Sequence, residues 1–247
     1  MTLIITEFSP YGIAMVAESA MTSSFNLRSG VQSQVLIGCL KLQQIPYLEA
    51  GLSMWGLGKM PITGDEIPTD VWVADFIKSH THLASLDEFA ENLVENLQST
   101  LGHCEDPIGF HLAGYSEISM EKKPQLFHVR NNDGLYGQES IHEFIKGEHQ
   151  LPADLNRIPY PQIRNGDYGL YANLFENVER NMPSVVRRLN LGIDIPHKSL
   201  DGRLSYLSSW IRFLSDLYAS SGELRSIGSN VITLGIAPEG RIRAYQM

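Results

Sequence analysis

Strand-like and helix-like segments come in blocks along this sequence, and that order limits its fold more than any other feature. The chain opens with a β-rich run, Thr2-Leu-Ile-Ile-Thr-Glu-Phe-Ser9, then a Pro10-Tyr11-Gly12 turn and a second apolar run ending Ala17-Glu18-Ser19. Together these predict a hairpin. The polar stretch from Met21 to Gly30 reads as a connecting loop, and strands are expected over 34–42 and 48–55, broken by Pro46. Two helices follow. Thr69-Asp70 stands as a cap before Val71, Ala74, Phe76 and Ile77, and Ser85-Leu-Asp-Glu88 is a capping box before Phe89, Leu93 and Leu97. Next come a strand from Pro107 to Tyr115, a charged connection at Glu121-Lys-Lys-Pro124, a strand from Gln125 to Val129 and a turn signal at Asn131-Asn-Asp-Gly134. A stretch rich in Gly, Pro and charge reaches residue 164, ahead of a helical segment over 166–181. A second helix, over 203–219, carries Leu204, Leu207, Ile211, Leu214 and Leu217 on one face. The chain closes on a hairpin around Pro238-Glu-Gly240. Strands and helices segregated in this way imply antiparallel sheets with helices stacked outside, an α+β fold. No repeat, low-complexity tract or linker divides the chain, so a single domain over 1–247 is expected.

Composition removes several classes of function. The formal net charge is −9 and there is no Lys/Arg block. Nucleic-acid binding through a broad basic face is therefore not expected, nor is docking on an anionic membrane. No apolar run reaches the roughly eighteen residues that a membrane span needs. Met1 is not followed by a basic segment and a small-residue cleavage site, so no secretory signal is read and a cytoplasmic location is expected. Cys39 and Cys104 lie far apart in apolar or mixed segments and read as buried free thiols. The 8 histidines are scattered without metal-ligand spacing. Neither metal nor cofactor is expected. Trp55-Gly-Leu-Gly58 lacks the further glycines and the Lys-Ser/Thr ending of a phosphate loop, and reads as a tight turn.

Thr2 directly follows the initiator methionine. At a mature amino terminus a threonine is both nucleophile and base. Its hydroxyl attacks a carbonyl while its own α-amine, titrating near pH ~8, takes the proton. Alone, a second-position threonine does no more than permit methionine removal, so the chemistry depends on partners elsewhere in the chain.

A set of short segments supplies those partners. In order they are the hairpin ending in Ala17-Glu18-Ser19, Lys41-Leu-Gln-Gln-Ile-Pro46 and Leu52-Ser-Met-Trp-Gly-Leu-Gly58. Then come Ile108-Gly-Phe-His-Leu-Ala-Gly114-Tyr115 with Pro124-Gln-Leu-Phe-His-Val129 and Asp133-Gly134, and last a helix running into Ser220-Ser-Gly222 before Asn230 to Gly240. Over nearly its whole length the chain resembles a proteasome β-type subunit, as a divergent bacterial-type member of the N-terminal-nucleophile hydrolase superfamily. The resemblance implies a four-layer αββα sandwich of two antiparallel sheets flanked by helices. It implies Thr2 as nucleophile once Met1 is removed. It also implies Lys41 as the cation that keeps the amine neutral by like-charge repulsion. Glu18 fills the slot where catalytic relatives carry Asp, and would pair with the lysine. The loop between Glu18 and Lys41 is longer than usual in the family.

The supporting positions depart further from the family pattern. Arg164-Asn165-Gly166-Asp167 stands where members often show Gly-Ser-Gly, making Asn165 the candidate there. Asp216 with Ser220 or Ser221 is the candidate on the last helix, with two residues more than usual between acid and Ser-Gly. The implied function is a self-compartmentalised threonine-type peptidase or amidohydrolase. It would work as a homo-oligomeric ring on peptide or unfolded protein, with an unfoldase as a possible partner. The alternative is a catalytically silent ring or scaffold subunit, as proteasome α-type chains are. Those chains carry a helical extension ahead of the first strand, whereas this sequence starts on the strand itself, so the β-type reading is expected.

Overall fold

The computed structural model describes residues 2–26, 32–62, 65–118, 120–132, 140–156, 160–166, 177–178, 181, 184–185, 188–189, 197–221 and 227–246. Strands β1 (Leu3–Ser9) and β2 (Gly12–Glu18) form the expected opening hairpin, in register from Ile4↔Ala17 to Ser9↔Gly12. Every residue of both strands is buried, because the pair is covered on both faces. Leu3 and Ile5 face a helix, while Ile4 and Phe8 face a second sheet. Glycine is required at the turn: Gly12 has φ 133, and a Cβ there would run into the Ile236 carbonyl.

That hairpin is the centre of a five-stranded sheet in the order β12 (Gln162–Gly166), β1, β2, β13 (Val231–Ile236) and β14 (Ile242–Gln246). A second five-stranded sheet runs β11 (Ser140–Glu148), β10 (Glu121–Asn132), β9 (Gly109–Ile118), β6 (Ala50–Trp55) and β5 (Leu42–Ile45). All pairings between these strands are antiparallel. Ile4, Phe8, Met15 and Leu234 of the first sheet pack on Leu42, Trp55, Ala113 and Leu126 of the second. Helices α1 (Thr69–Ser79) and α2 (Leu86–Leu101) cover the outside of the second sheet through Phe76, Phe89, Leu93 and Leu97. Helix α3 (Leu200–Ser221) covers the first through Leu204, Leu207, Ile211 and Leu214. The layers therefore run helix, sheet, sheet, helix, an α+β αββα sandwich.

Several elements depart from the sequence reading. Residues Ala20–Asn26 are strand β3, not loop, and pair with β4 (Gln32–Gly38) as a separate hairpin, so the strand expected over 34–42 is divided at Cys39. The rest of the expected loop, 27–30, lies outside the described residues. A second unforeseen hairpin, β7 (Lys59–Ile62) with β8 (Asp65–Pro68), stands before α1. Thr69 does not cap that helix: its hydroxyl donates to the Leu57 carbonyl at 2.8 Å. Ser85 does cap α2, accepting from the Glu88 amide at 3.1 Å. Glu121-Lys-Lys-Pro124 belongs to β10, which pairs from Glu121↔Ile118 onward. Asn131 and Asn132 end that strand; Asp133 and Gly134 lie outside the described residues. The stretch before residue 164 contributes β11 and the start of β12, whose alternation was masked by Gly, Pro and charge. Of the helix expected over 166–181, Gly166 ends β12 and most of the remainder lies outside the described residues. Leu217, placed on the inner face of the last helix, is 36% exposed.

One buried ion pair joins α3 to the first sheet. Arg203 Nε donates to Glu7 Oε1 at 2.6 Å, its Nη2 donates to Oε2, and the guanidinium lies over the Tyr206 ring at 4.7 Å. Arg203→Ala strands the Glu7 carboxylate and should cost about 3–5 kcal/mol in urea denaturation. Arg241→Ala, which breaks an exposed pair with Glu239, should leave the urea midpoint essentially unmoved.

Candidate active site

Three chain segments bring one polar side chain each to the same end of the gap between the sheets. Thr2 immediately precedes β1 and is 4% exposed. Its backbone lies so close to Gly166, at φ 107, that a Cβ on Gly166 would collide with the Thr2 carbonyl, which pins the chain start to β12. Glu18 ends β2 and is fully buried. Lys41 sits just before β5 and is 5% exposed. Its carbonyl accepts from the Met54 amide at 2.9 Å, fixing it to the second sheet.

The Lys41 ammonium has three protons and meets three acceptors. Nζ donates to Thr2 Oγ1 at 3.0 Å, to Glu18 Oε1 and to the Ala20 carbonyl. Glu18 is equally committed. Oε1 takes the lysine, while Oε2 accepts the Ala20 amide at 2.7 Å and the Gly228 amide at 3.1 Å. Backbone bonds tie the frame together: Ser19 N to Asn230 O at 2.9 Å, and Cys39 N to Ser19 O at 2.8 Å. The arrangement presents a threonine hydroxyl to a fixed cation whose own charge is balanced by a fixed carboxylate.

A cleft of about 290 Å³ opens beside Thr2 and Lys41, walled by Met21, Met54, Trp55 and Leu57. Cys39 also lines it. Burial, reinforced by the charge of Asp70, pushes its thiol up to about 12, so the sulfur stays protonated and does not compete with Thr2 as nucleophile. Neither cysteine forms a disulfide, and both are buried. Among the described residues, no cluster of three His, Cys, Asp or Glu side chains could hold a metal, and no helix is long and apolar enough to cross a membrane.

The supporting candidates stand elsewhere. Asn165 pairs with Ile4 across β12–β1, and its Oδ1 bonds His111 Nε2 at 2.7 Å inside the inter-sheet core. Asp216 and Ser220 are exposed on α3, where the Ser220 hydroxyl donates to the Asp216 carbonyl at 2.7 Å. The helix continues unbroken to Ser221, which keeps Asp216 and Ser220 one helical turn apart on its exposed side. The Ser221 side chain lies outside the described residues, as do Met1 and Asp167. Sequence reasoning missed Gly228, whose amide holds Glu18. A Cβ there would stand 2.5 Å from the Ala20 Cβ, and the Gly228-Ser-Asn230 turn before β13 was the available signal.

The fold has counterparts among solved structures. Anbu from Hyphomicrobium sp. strain MC1, in a Gly-1 mutant form, superposes with TM-score 0.53 at 12% identity, covering 100% of this chain and 86% of that one. Anbu (ancestral beta-subunit) from Yersinia bercovieri superposes with TM-score 0.50 at 14% identity, covering 99% of this chain and 86% of that one. At such identities the likeness establishes the fold. No protein-family model and no curated protein sequence matches the chain.

Next to the site lies a buried histidine network. Thr6 Oγ1 meets His111 Nδ1 at 3.1 Å, and the Trp55 indole donates to His128 Nε2 at 3.3 Å. Burial, opposed by the Asn165 hydrogen bond, pushes His111 down to about 4. Burial, and then the neighbouring His111, pushes His128 well below 6.5. Since both folded values lie below the unfolded one, the stabilisation is full above pH 6.5 and is lost as pH falls from there through 4. His111→Gln should therefore shrink the stability difference between pH 7 and pH 5 by about 2 kcal/mol, read from urea midpoints at the two pH values. An unchanged difference would contradict burial of a neutral imidazole.

Proposed function

We propose that this chain is an N-terminal-threonine amidohydrolase, a peptidase, in which removal of Met1 leaves Thr2 as nucleophile. One observation carries the reading: a single buried ammonium, on Lys41, is shared between the Thr2 hydroxyl and the Glu18 carboxylate at the edge of a cleft. In the proposed reaction Thr2 Oγ forms a bond to the carbonyl carbon of a bound amide, and the hydroxyl proton passes to the free α-amine of Thr2. The amine returns that proton to the leaving nitrogen as the C–N bond breaks, leaving an ester on Thr2. Water, deprotonated by the same amine, then attacks the ester carbonyl, and the amine returns that proton to Thr2 Oγ as the acyl C–O bond breaks and the carboxylic acid leaves. Throughout, Lys41 remains an ammonium. Its bond to Oγ1 stabilises the oxygen as it loses its proton, and its positive charge holds the amine in its neutral, basic form. Glu18 balances that charge and holds the ammonium in place.

The likeness to a structure described as an ancestral beta-subunit supports a further part of the reading, a single domain that assembles as a homo-oligomeric ring. Peptide or unfolded protein would then reach an enclosed chamber, with an unfoldase as a candidate partner. A catalytically silent ring subunit is the second reading, favoured by the outward position of Asp216 and Ser220 on α3.

Hydrolysis of fluorogenic peptide amides tests the proposal. Thr2→Ala should abolish turnover, and Lys41→Ala should lower it by at least about a hundredfold. Glu18→Asp is the sharper test, because both Glu18 oxygens are in use and a shorter side chain cannot keep all three partners. Activity should fall at least about fivefold, equivalent to about 1 kcal/mol or more. An aspartate variant as fast as the parent would refute this role for the carboxylate, and full activity in Thr2→Ala would refute the reading. Light scattering should show a closed oligomer rather than a 27.6 kDa monomer.

A further inference from the structure

Lys41 stands in a short link, Cys39-Leu40-Lys41, that joins β4 to β5 and belongs to neither strand. A cation carried on such a link is only as fixed as the link itself. Backbone bonds hold it from inside the fold: Cys39 N to Ser19 O at 2.8 Å, Lys41 N to Cys39 O at 3.1 Å, and Met54 N to Lys41 O at 2.9 Å. The amide in the middle of the link turns the other way. Leu40 N donates to Asp70 Oδ2 at 2.9 Å, on the side where the Leu40 side chain is 50% exposed.

Asp70 is the second residue of α1. An acid in a first helical turn is ordinarily explained by the helix dipole, and Asp70 Oδ1 does stay with the helix, accepting from the Val71 amide at 3.1 Å. Its Oδ2 leaves the helix for Leu40, and its carbonyl accepts from Gln43 Nε2 at 2.7 Å. One residue of α1 is thus tied to the chain on both sides of Lys41. The residue before it is anchored as well. Thr69, fully buried, donates from its amide to the Gly58 carbonyl at 3.0 Å and from Oγ1 to the Leu57 carbonyl at 2.8 Å. Leu57 and Gly58 line the same cleft as Cys39 and Lys41, so the start of α1 holds both parts of the cleft in one frame. The helix itself is seated by Phe76, which meets Phe89 of α2 edge-on at 5.2 Å.

We propose that Asp70 is a positioning residue for Lys41: by holding Leu40 and Gln43 from outside the sheets, it sets where the ammonium meets the Thr2 hydroxyl. Displacing that cation by about 1 Å is enough to cost about a hundredfold in rate. The effect on rate rests on the amidohydrolase reading. The placement of the cation does not require turnover and is tested without it.

The test reads the cation from the position of Thr2. In full-length Thr2→Cys protein the introduced thiol faces Lys41, with Glu18 beyond it and Cys39 and Asp70 on the link side. Its titration is followed by the pH dependence of iodoacetamide alkylation, mapped to the peptide that holds residue 2 so that Cys39 and Cys104 are counted apart. A nearby ammonium favours the thiolate, so withdrawing it raises the thiol's pKa, whereas losing the Asp70 charge alone would lower it. Asp70→Ala should raise that pKa by at least about 0.5. Asp70→Asn, which keeps an acceptor of the same shape, should leave it at or below the value for Thr2→Cys alone. Gln43→Ala changes no charge and cuts only the second tie; it should raise the pKa by at least about 0.2, and it carries the test if Asp70→Ala does not fold. In the protein that keeps Thr2, Asp70→Ala should lower kcat at least about tenfold with KM within about twofold, and Asp70→Asn should recover most of that loss. A pKa that falls or stays in Asp70→Ala, or that rises as far in Asp70→Asn, would overturn the proposal. The expected thiol shifts, in a protein whose Thr2 form hydrolyses nothing, would support the role of Asp70 and refute the amidohydrolase reading alone.

Discussion

A lysine ammonium buried between two sheets needs an acceptor for every proton, and most of the site follows from how Lys41 finds them. The threonine at the head of β1, the carboxylate at the end of β2 and the carbonyl of Ala20 each supply one. Two of these stand side by side at the open end of one hairpin in the first sheet, while Lys41 is tied to the second sheet through Met54. The ion pair therefore joins the sheets at the cleft. Removing either partner would strand a buried charge, a cost of about 3–5 kcal/mol for pairs of this kind. The same contacts that satisfy the charge also orient the Thr2 hydroxyl, so stability and the proposed chemistry draw on one set of bonds.

Glu18 shows how the strand end accommodates a carboxylate one methylene longer than aspartate. With Oε1 on Lys41, Oε2 reaches past the strand end to the amides of Ala20 and Gly228. The second amide comes from the turn leading into β13. Glycine there leaves space for both Ala20 and the carboxylate. The additional methylene is thus matched by a backbone that comes to meet it.

Much of this was legible in the sequence where local pattern and order agreed. The β1–β2 hairpin, the Ser85 capping box, α3 and the closing hairpin are set by nearest-neighbour chemistry, and Thr2, Glu18 and Lys41 came from the ordered motifs. The differences between sequence reading and structure have a physical pattern. Met21-Thr-Ser-Ser-Phe25 becomes a strand by pairing with β4, which its polar sequence does not announce, and Lys59-Met-Pro-Ile62 becomes one by pairing with β8 while burying Met60. Asn165 was assigned by position in the chain, but the register Ile4↔Asn165 places it beside the strand that aims Thr6 at His111. Asp216 and Ser220 were assigned in the same way and fell on the outer turn of a helix longer than expected. Backbone donors such as the Gly228 amide carry no side-chain signature at all.

The account stands or falls on whether Thr2 is a free, reactive amino terminus. Intact-mass spectrometry of the native protein, before and after treatment with an electrophilic threonine-directed probe and followed by peptide mapping, reads this directly. The expected result is a mass lacking Met1 and a single adduct located on Thr2. A protein that retains Met1 and takes up no probe would contradict the mechanism.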